Sequence, residues 1–374
     1  MSMSEVGSRN SLPMVSLGNT GKQVSRFCLG GFHQVEISSE IVAQVVDAFL
    51  DNGGNYIETA RSYGGGASEE KLGRALKGRR DQVILCTKTG ARSADEARHE
   101  LELSLQALQT DHVDFCLFHG VGEGELDTIT APGGALEGLQ KAIDEGMLGA
   151  LGMSSHWPPV YLEAFDRLPL SLILIWCNYL DNQNYPIIPN EIIPEAHKRG
   201  IGVTGMKPLA DGYLYRSVEN AVRYTLGSGA DVAVCGANRV EHVKEVAAAV
   251  RRGPAGEALK EAILHTAVDL GRYVCRQCGT CTPALMDTFR LEGTYDRQMI
   301  DYLPHDPADY ALRVRLAHWF AGRERAVAHF ATAGYDPATL IADAQQIECP
   351  YGIDVVRKAK IATAKLTEQK VNVI

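Results

Sequence analysis

Short β-prone runs alternate with longer segments of helical periodicity from about residue 26 to residue 250. The runs are RFCLGGF, NYIETA, VILCTK, VDFCLFH, LGALGMS, LILIWCNYL, GVTGMKPL and VAVCGA. Candidate helices separate them, and another follows the last. One such helix is SADEARHELELSLQALQTD, where Ser93 and Glu96 are spaced for a capping box and Ala97, Leu101, Leu105 and Leu108 recur on one face. Strand then helix, repeated eight times, predicts an α/β fold, a parallel (β/α)8 TIM barrel. A doubly wound open sheet alternates in the same way, but no G-x-G-x-x-G follows the first run, which weighs against it. Ahead of that run, VSLGNTGKQVS sets a Gly-Asn-Thr-Gly turn between two short alternating runs and predicts a hairpin across the barrel floor.

After RRGPAG (251–256) the alternation stops. The pattern divides the chain into a barrel at 14–252 and a mainly helical C-terminal domain at 253–374, with helical periodicity in DYALRVRLAHWFAGRERAVAHFATAG (309–334). A length of 374 residues accommodates one barrel and such an appendage. The net charge of -9 and the lack of a basic block exclude an electrostatic footprint for nucleic acid or an anionic membrane. The start, MSMSEVGSRNSLPMVSL, has no apolar core behind a basic head, and SLILIWCNYL is too short to span a bilayer. The expectation is a cytoplasmic protein, with its nine cysteines as thiols or metal ligands rather than disulfides.

The cysteines fall into two groups. Cys28, Cys86, Cys116, Cys177 and Cys235 each sit singly in an apolar run and read as small buried hydrophobes. Cys275, Cys278, Cys281 and Cys349 lie in polar surroundings beyond the last run, where packing does not explain three thiols at fixed short spacing. The run C-x2-C-x2-C with a remote Cys349-Pro350 has the form of half a bacterial ferredoxin, in which the fourth cysteine of a run serves another cluster. Tetrahedral zinc is the rival, although zinc ligands usually come as two separated C-x2-C pairs.

In a barrel, functional groups project from the carboxyl ends of the strands. Glu58 stands near the end of NYIETA with Tyr63 just beyond it, Lys88 closes VILCTK, and His119 closes VDFCLFH. These types suit carbonyl reduction. A ketone accepting hydride needs a proton, which a phenol supplies if its anion is stabilised; an ammonium about 4 Å away at an effective dielectric near 20 contributes roughly 4 kcal/mol, about three pKa units. Lys88 is that ammonium, Glu58 its counter-ion, and His119 a hydrogen-bond donor to the carbonyl oxygen. Singly, each residue is as easily packing or solvated surface.

NYIETARSYGGGASEEKLGRAL, CTKTG, SLQALQTDHVDFCLFHG and EGMLGALGMSSH together resemble the successive signatures of the aldo-keto reductase superfamily. The resemblance implies an eight-stranded barrel, a small-molecule carbonyl or alcohol substrate, and a nicotinamide dinucleotide, NADP or NAD, bound without a Rossmann loop. It places the catalytic tetrad on Glu58, Tyr63, Lys88 and His119; the family ordinarily has aspartate at the position of Glu58, and the extra methylene threatens the register of Lys88. It places the cofactor against Ser154 and Ser155, against Met206, Lys207, Pro208 and Leu209, and against Gly236, Asn238, Arg239 and His242. Ser155 stands where asparagine is usual, Leu174 where glutamine is usual, and Met206 where many members stack an aromatic ring.

The tail resembles the ferredoxin-like extension on one branch of the same superfamily. That resemblance implies one [4Fe-4S] cluster on Cys275, Cys278, Cys281 and Cys349, able to pass single electrons to a partner or to staple the tail. Two other readings stay open: a redox sensor with weak catalysis, and an eliminase or epimerase that recycles its nicotinamide on a sugar-like substrate.

Overall fold

The computed structural model describes residues 11–296 and 322–368; residues 309–321 of the helical pattern at 309–334 lie outside that range. Two hairpin strands come first, β1 (Met14–Ser16) and β2 (Gln23–Ser25). Eight more follow: β3 (Phe27–Gly30), β4 (Tyr56–Glu58), β5 (Ile84–Thr89), β6 (Val113–Phe118), β7 (Leu148–Ser154), β8 (Leu172–Trp176), β9 (Gly202–Met206) and β10 (Val232–Gly236). Strands β3 to β10 close into a barrel in sequence order, β10 pairing with β3. Every neighbouring pair is parallel. Such strands are covered on both faces, which is why they read as continuous apolar runs rather than alternating ones.

The eight runs read from the sequence match these eight strands, and the polar tails of the longer runs fall in the loops. Strands β1 and β2 pair antiparallel, Met14 opposite Ser25. Their turn abuts the amino end of β9: Asn19 N donates to Gly200 O at 2.8 Å. Gly18, at φ +49°, lies so close that a Cβ there would be 2.4 Å from Gly202 N. The hairpin therefore meets the strand end opposite to the one that carries Glu58 and His119.

The helix Ala94–Leu108 buries Ala97, Leu101, Leu105 and Leu108, as its periodicity requires. Its capping box differs from expectation. Ser93 Oγ donates to Glu96 Oε2 at 2.8 Å rather than accepting a backbone N–H, and the first amide of the helix, Ala94 N, donates instead to Gly133 O at 2.8 Å.

The chain forms two compact units. The first contains the described residues through Cys177, with Ile187–Leu209 and Val218–Ala255. The second contains Asn178–Pro186, Ala210–Ser217 and the described residues from Gly256 onward, so it includes most of the loops that follow β8 and β9. Its helices Pro283–Asp296, Arg323–Ala333, Pro337–Ala344 and Val355–Leu366 pack around Leu285, Phe289, Phe330, Leu340, Ala359 and Leu366. No helix among the described residues is long and apolar enough to cross a membrane.

Candidate active site

Strand register sets the first elements of the site. Glu58, the last residue of β4, pairs with Cys86 of β5, and Lys88 lies two residues further along β5, so both side chains leave the same face. Tyr63 begins a tight turn, Tyr63–Gly66, in which Gly64 and Gly65 take φ of 62° and 64°. A side chain there would be strained.

The Lys88 ammonium donates to the Glu58 carboxylate, to Thr59 O at 2.7 Å and to the Tyr63 hydroxyl oxygen at 3.3 Å. It also stands 4.7 Å from the centre of the Tyr63 ring. Burial alone pulls the Lys88 pKa down, but the charge of Glu58, then that of Tyr63, outweighs it and holds the group well above the ordinary lysine range. Lys88 is therefore a permanent cation. Glu58 keeps its register because Gly30 lies opposite it on β3. A Cβ on Gly30 would sit 3.3 Å from Glu58 Oε1, so the missing side chain leaves room for the longer acid.

His119 follows β6, where its N–H donates to Thr89 O at 2.8 Å and its carbonyl accepts from Arg92 at 2.9 Å. Its ring meets that of Tyr63 edge-on, centroids 5.7 Å apart, and its Nδ1 lies 3.1 Å from Ser62 Oγ. Phe32 meets the Tyr63 ring as well, at 4.9 Å. Beneath the loop, Arg61 bridges to buried Glu69 at 2.9 Å and donates to Gly65 O at 2.7 Å. The structure thus brings Glu58, Tyr63, Lys88 and His119 together. Reading polar strand ends alone passes over Ser62, Arg61, Phe32 and Gly30. Ser62 adjoins Tyr63, and Phe32 follows a strand end, so proximity in the chain was the available signal.

The residues expected at the cofactor differ in what they have to offer. Ser154 closes β7, and its Oγ accepts from Gly120 N at 3.0 Å, a bond that leaves the hydroxyl proton to donate. Ser155 is committed to its loop: its hydroxyl donates to Val121 O at 2.6 Å and accepts from Trp157 N at 2.8 Å. Its N–H goes to the Tyr161 hydroxyl, which donates at 2.6 Å to the carbonyl of Leu174. Met206 is buried at the end of β9. Beyond it the backbone is strained, Lys207, Ala210 and Asp211 lying at φ of 57°, 46° and 57° around Pro208 and Leu209. After β10 the His33 ring lies over Gly236, and its Nδ1 is 2.7 Å from Asn238 Oδ1. His242 is buried, and its Nε2 accepts from Arg239 Nε at 2.9 Å, so it positions Arg239 rather than facing outward.

In the second unit Cys275, Cys278, Cys281 and Cys349 line one small pocket. Gln277, held at φ 50°, directs its backbone N–H and its side-chain amide to Cys275 Sγ, each at 3.5 Å. Thr280 Oγ1 lies 3.3 Å from Cys278 Sγ. Burial, then the other three thiols, pushes Cys281 up to about 11. Among the described residues no three His, Cys, Asp or Glu side chains are close enough to hold a single metal ion. The five barrel cysteines are buried thiols, and burial pushes Cys116 up to about 12.

The profile of the aldo/keto reductase family matches residues 26–248. L-galactose dehydrogenase of Arabidopsis thaliana is 32% identical over 216 residues, covering 53% of this chain and 66% of that enzyme. The chain thus spans just under two thirds of that relative's length. An aldo-keto reductase of Bacillus halodurans, in its holo form, superposes with a TM-score of 0.59 at 24% identity, over 68% of this chain and 95% of its own. An aldo-keto reductase of Klebsiella pneumoniae in complex with NADPH gives 0.56 at 23%, over 66% and 93%. At such identities these two structures speak to the fold.

Proposed function

This chain belongs to the aldo/keto reductase family, and on that footing we propose that it is an NAD(P)-dependent oxidoreductase acting between a carbonyl and the corresponding alcohol. The observation that carries the reading is the 3.3 Å contact between Lys88 Nζ and the Tyr63 hydroxyl, with Glu58 and Thr59 holding the lysine from behind. Bound NAD(P)H supplies the hydride. Tyr63 gives its proton to the carbonyl oxygen as that atom gains charge, Lys88 stabilises the oxygen anion left on Tyr63, and His119 orients the carbonyl. In the reverse direction Tyr63 takes the proton from the alcohol. Lys207 and Arg239 are cations suited to the cofactor's phosphates, Ser154 suits its amide, and Met206 offers an apolar face. Those cations favour NADP over NAD.

The test is nicotinamide absorbance with a panel of aldehydes, ketones and sugars, in the intact protein and in Tyr63→Phe. Turnover that Tyr63→Phe abolishes supports the reading. Cofactor binding without turnover on any member of the panel overturns it.

The second element of the proposal is a [4Fe-4S] centre held by Cys275, Cys278, Cys281 and Cys349, which when bound supplies one-electron chemistry or a cross-link. The fit rests on the donors. Four thiols share one pocket with N–H groups aimed at Cys275 Sγ, and the C-x2-C-x2-C spacing suits iron–sulfur better than the two separated pairs usual for zinc. Iron and acid-labile sulfide in anaerobically purified protein support the centre; one zinc and no sulfide overturn it.

A further inference from the structure

Next to the four-cysteine pocket lies a buried ionic network that hydride transfer does not use. Lys358 donates to Glu292 Oε2 at 2.7 Å, and their side chains are 1% and 0% exposed. Glu292 Oε1 accepts from Lys365 at 3.0 Å and from the Tyr273 hydroxyl, and Lys365 also pairs with Asp296. As a stabilising device such a pair is unremarkable, since apolar residues of similar volume usually do as well or better. Its placement is more informative.

The Lys358 ammonium stands 5.4 Å from the centre of the Phe289 ring. Phe289 lines the cysteine pocket, and so does Val355, one helical turn before Lys358 on the helix Val355–Leu366. The cation is thus one aromatic ring behind the thiols. Arg276 stands in the pocket wall, buried, with its guanidinium on the carbonyls of Leu270, Gly271 and Val274. Among the described residues no aspartate or glutamate lines the pocket.

Four thiolates on a cubane cluster leave net negative charge, and one more electron adds to it; buried positive charge and N–H donors to sulfur raise the potential of such centres. We propose that Lys358, seconded by Arg276, compensates this charge and makes the centre a reversible one-electron carrier rather than a staple. The inference rests on the [4Fe-4S] reading above. The step is an electron taken from a one-electron donor onto the iron and later returned, with no bond made or broken and no proton required. Cys278, the exposed ligand of the four, marks the edge at which donors approach.

The experiment is a dithionite titration, followed by electron paramagnetic resonance, of anaerobically purified full-length protein and of Lys358→Met, Lys358→Arg and Glu292→Gln. The intact protein is expected to be reducible. Lys358→Met, with iron and sulfide undiminished, lowers the reduced-to-oxidised ratio at a fixed potential about tenfold, about 59 mV for one electron. Lys358→Arg keeps the ratio, and Glu292→Gln raises it several-fold. An unchanged ratio in Lys358→Met, or an intact cluster that dithionite does not reduce, overturns the inference while the cluster stands. If Lys358→Met loses iron, Glu292→Gln decides, and an unchanged ratio there overturns it. A protein without iron and sulfide overturns the cluster reading itself, and this inference with it.

Discussion

Among the described residues two lysine–glutamate pairs are buried, each beside a tyrosine, and a different member of the pair meets the phenol oxygen in each. In the barrel the Tyr63 hydroxyl meets the ammonium of Lys88 at 3.3 Å, and Glu58 sits behind the lysine. In the helical unit the Tyr273 hydroxyl donates to Glu292 and accepts from Lys365 at 3.1 Å, while the ammonium of Lys358 stands over the ring face, 4.1 Å from its centre. Burial, then the charge of Glu292, pushes Tyr273 well above the ordinary tyrosine range, so it keeps its proton. The residue types are the same, but the oxygen of Tyr273 meets a buried carboxylate as well as an ammonium, whereas at Tyr63 the carboxylate of Glu58 sits behind the lysine.

That contrast can be broken from either side. The largest effect is expected from Lys88→Met, which should lower carbonyl reduction about a thousandfold in steady-state assays. The same variant separates the pairs by pH. Because the folded-state pKa of Lys88 lies above the ordinary lysine value of 10.5, its contribution to stability is complete below that pH and is lost as pH rises toward the folded value. Urea unfolding should therefore show a weaker alkaline decline in Lys88→Met; Lys365, also raised, retains its share. Glu292 runs the other way. Its pKa is lowered from 4.5, burial being outweighed by Lys358 and then Lys365, so its contribution is present above that pH and fades as pH falls through the folded value. Glu292→Gln should flatten the acid limb.

Next in size, Lys358→Met should cost about 3 kcal/mol in urea unfolding because it leaves Glu292 Oε2 buried without its partner while Lys365 and Tyr273 hold the other oxygen, whereas adding Glu292→Leu should recover part of that loss. Equal losses in the two would show that packing, not charge, is at stake. Smaller still, Gly30→Ala should reduce kcat roughly tenfold by pressing on Glu58, and Glu58→Asp in that background should restore it, since the shorter acid withdraws from the new methyl group. Ser62→Ala should change kcat only a few-fold but shift the pH–rate profile, because the hydroxyl at His119 Nδ1 biases the ring's tautomer.

The barrel was readable because strands covered on both faces become unbroken apolar runs, and because Lys88 and His119 close two of those runs and Glu58 stands near the end of a third. What escaped was the space around them. That Gly30 makes room for Glu58 depends on a pairing between β3 and β4, and that Arg61 and Glu69 pin the Tyr63 loop depends on a turn whose course a linear pattern does not specify. Ser155 shows the converse. Its position suggested a cofactor contact, but its hydroxyl is spent on the neighbouring loop. The cysteine spacing marked four thiols as a group, whereas the lysine that faces them from behind Phe289 sits in an ordinary helical pattern and gave no signal.

The barrel's closed register has a practical consequence for redesign. Lys88 is aligned with Leu117 on one side, and Glu58 with Gly30 and Cys86 on its two sides, so deleting or inserting a single residue within β4 or β5 would turn Glu58 or Lys88 outward. Segments grafted beyond the strand ends leave that alignment untouched. New substrate range is thus best sought by exchanging whole connecting segments, with the staves of the barrel left at their native length.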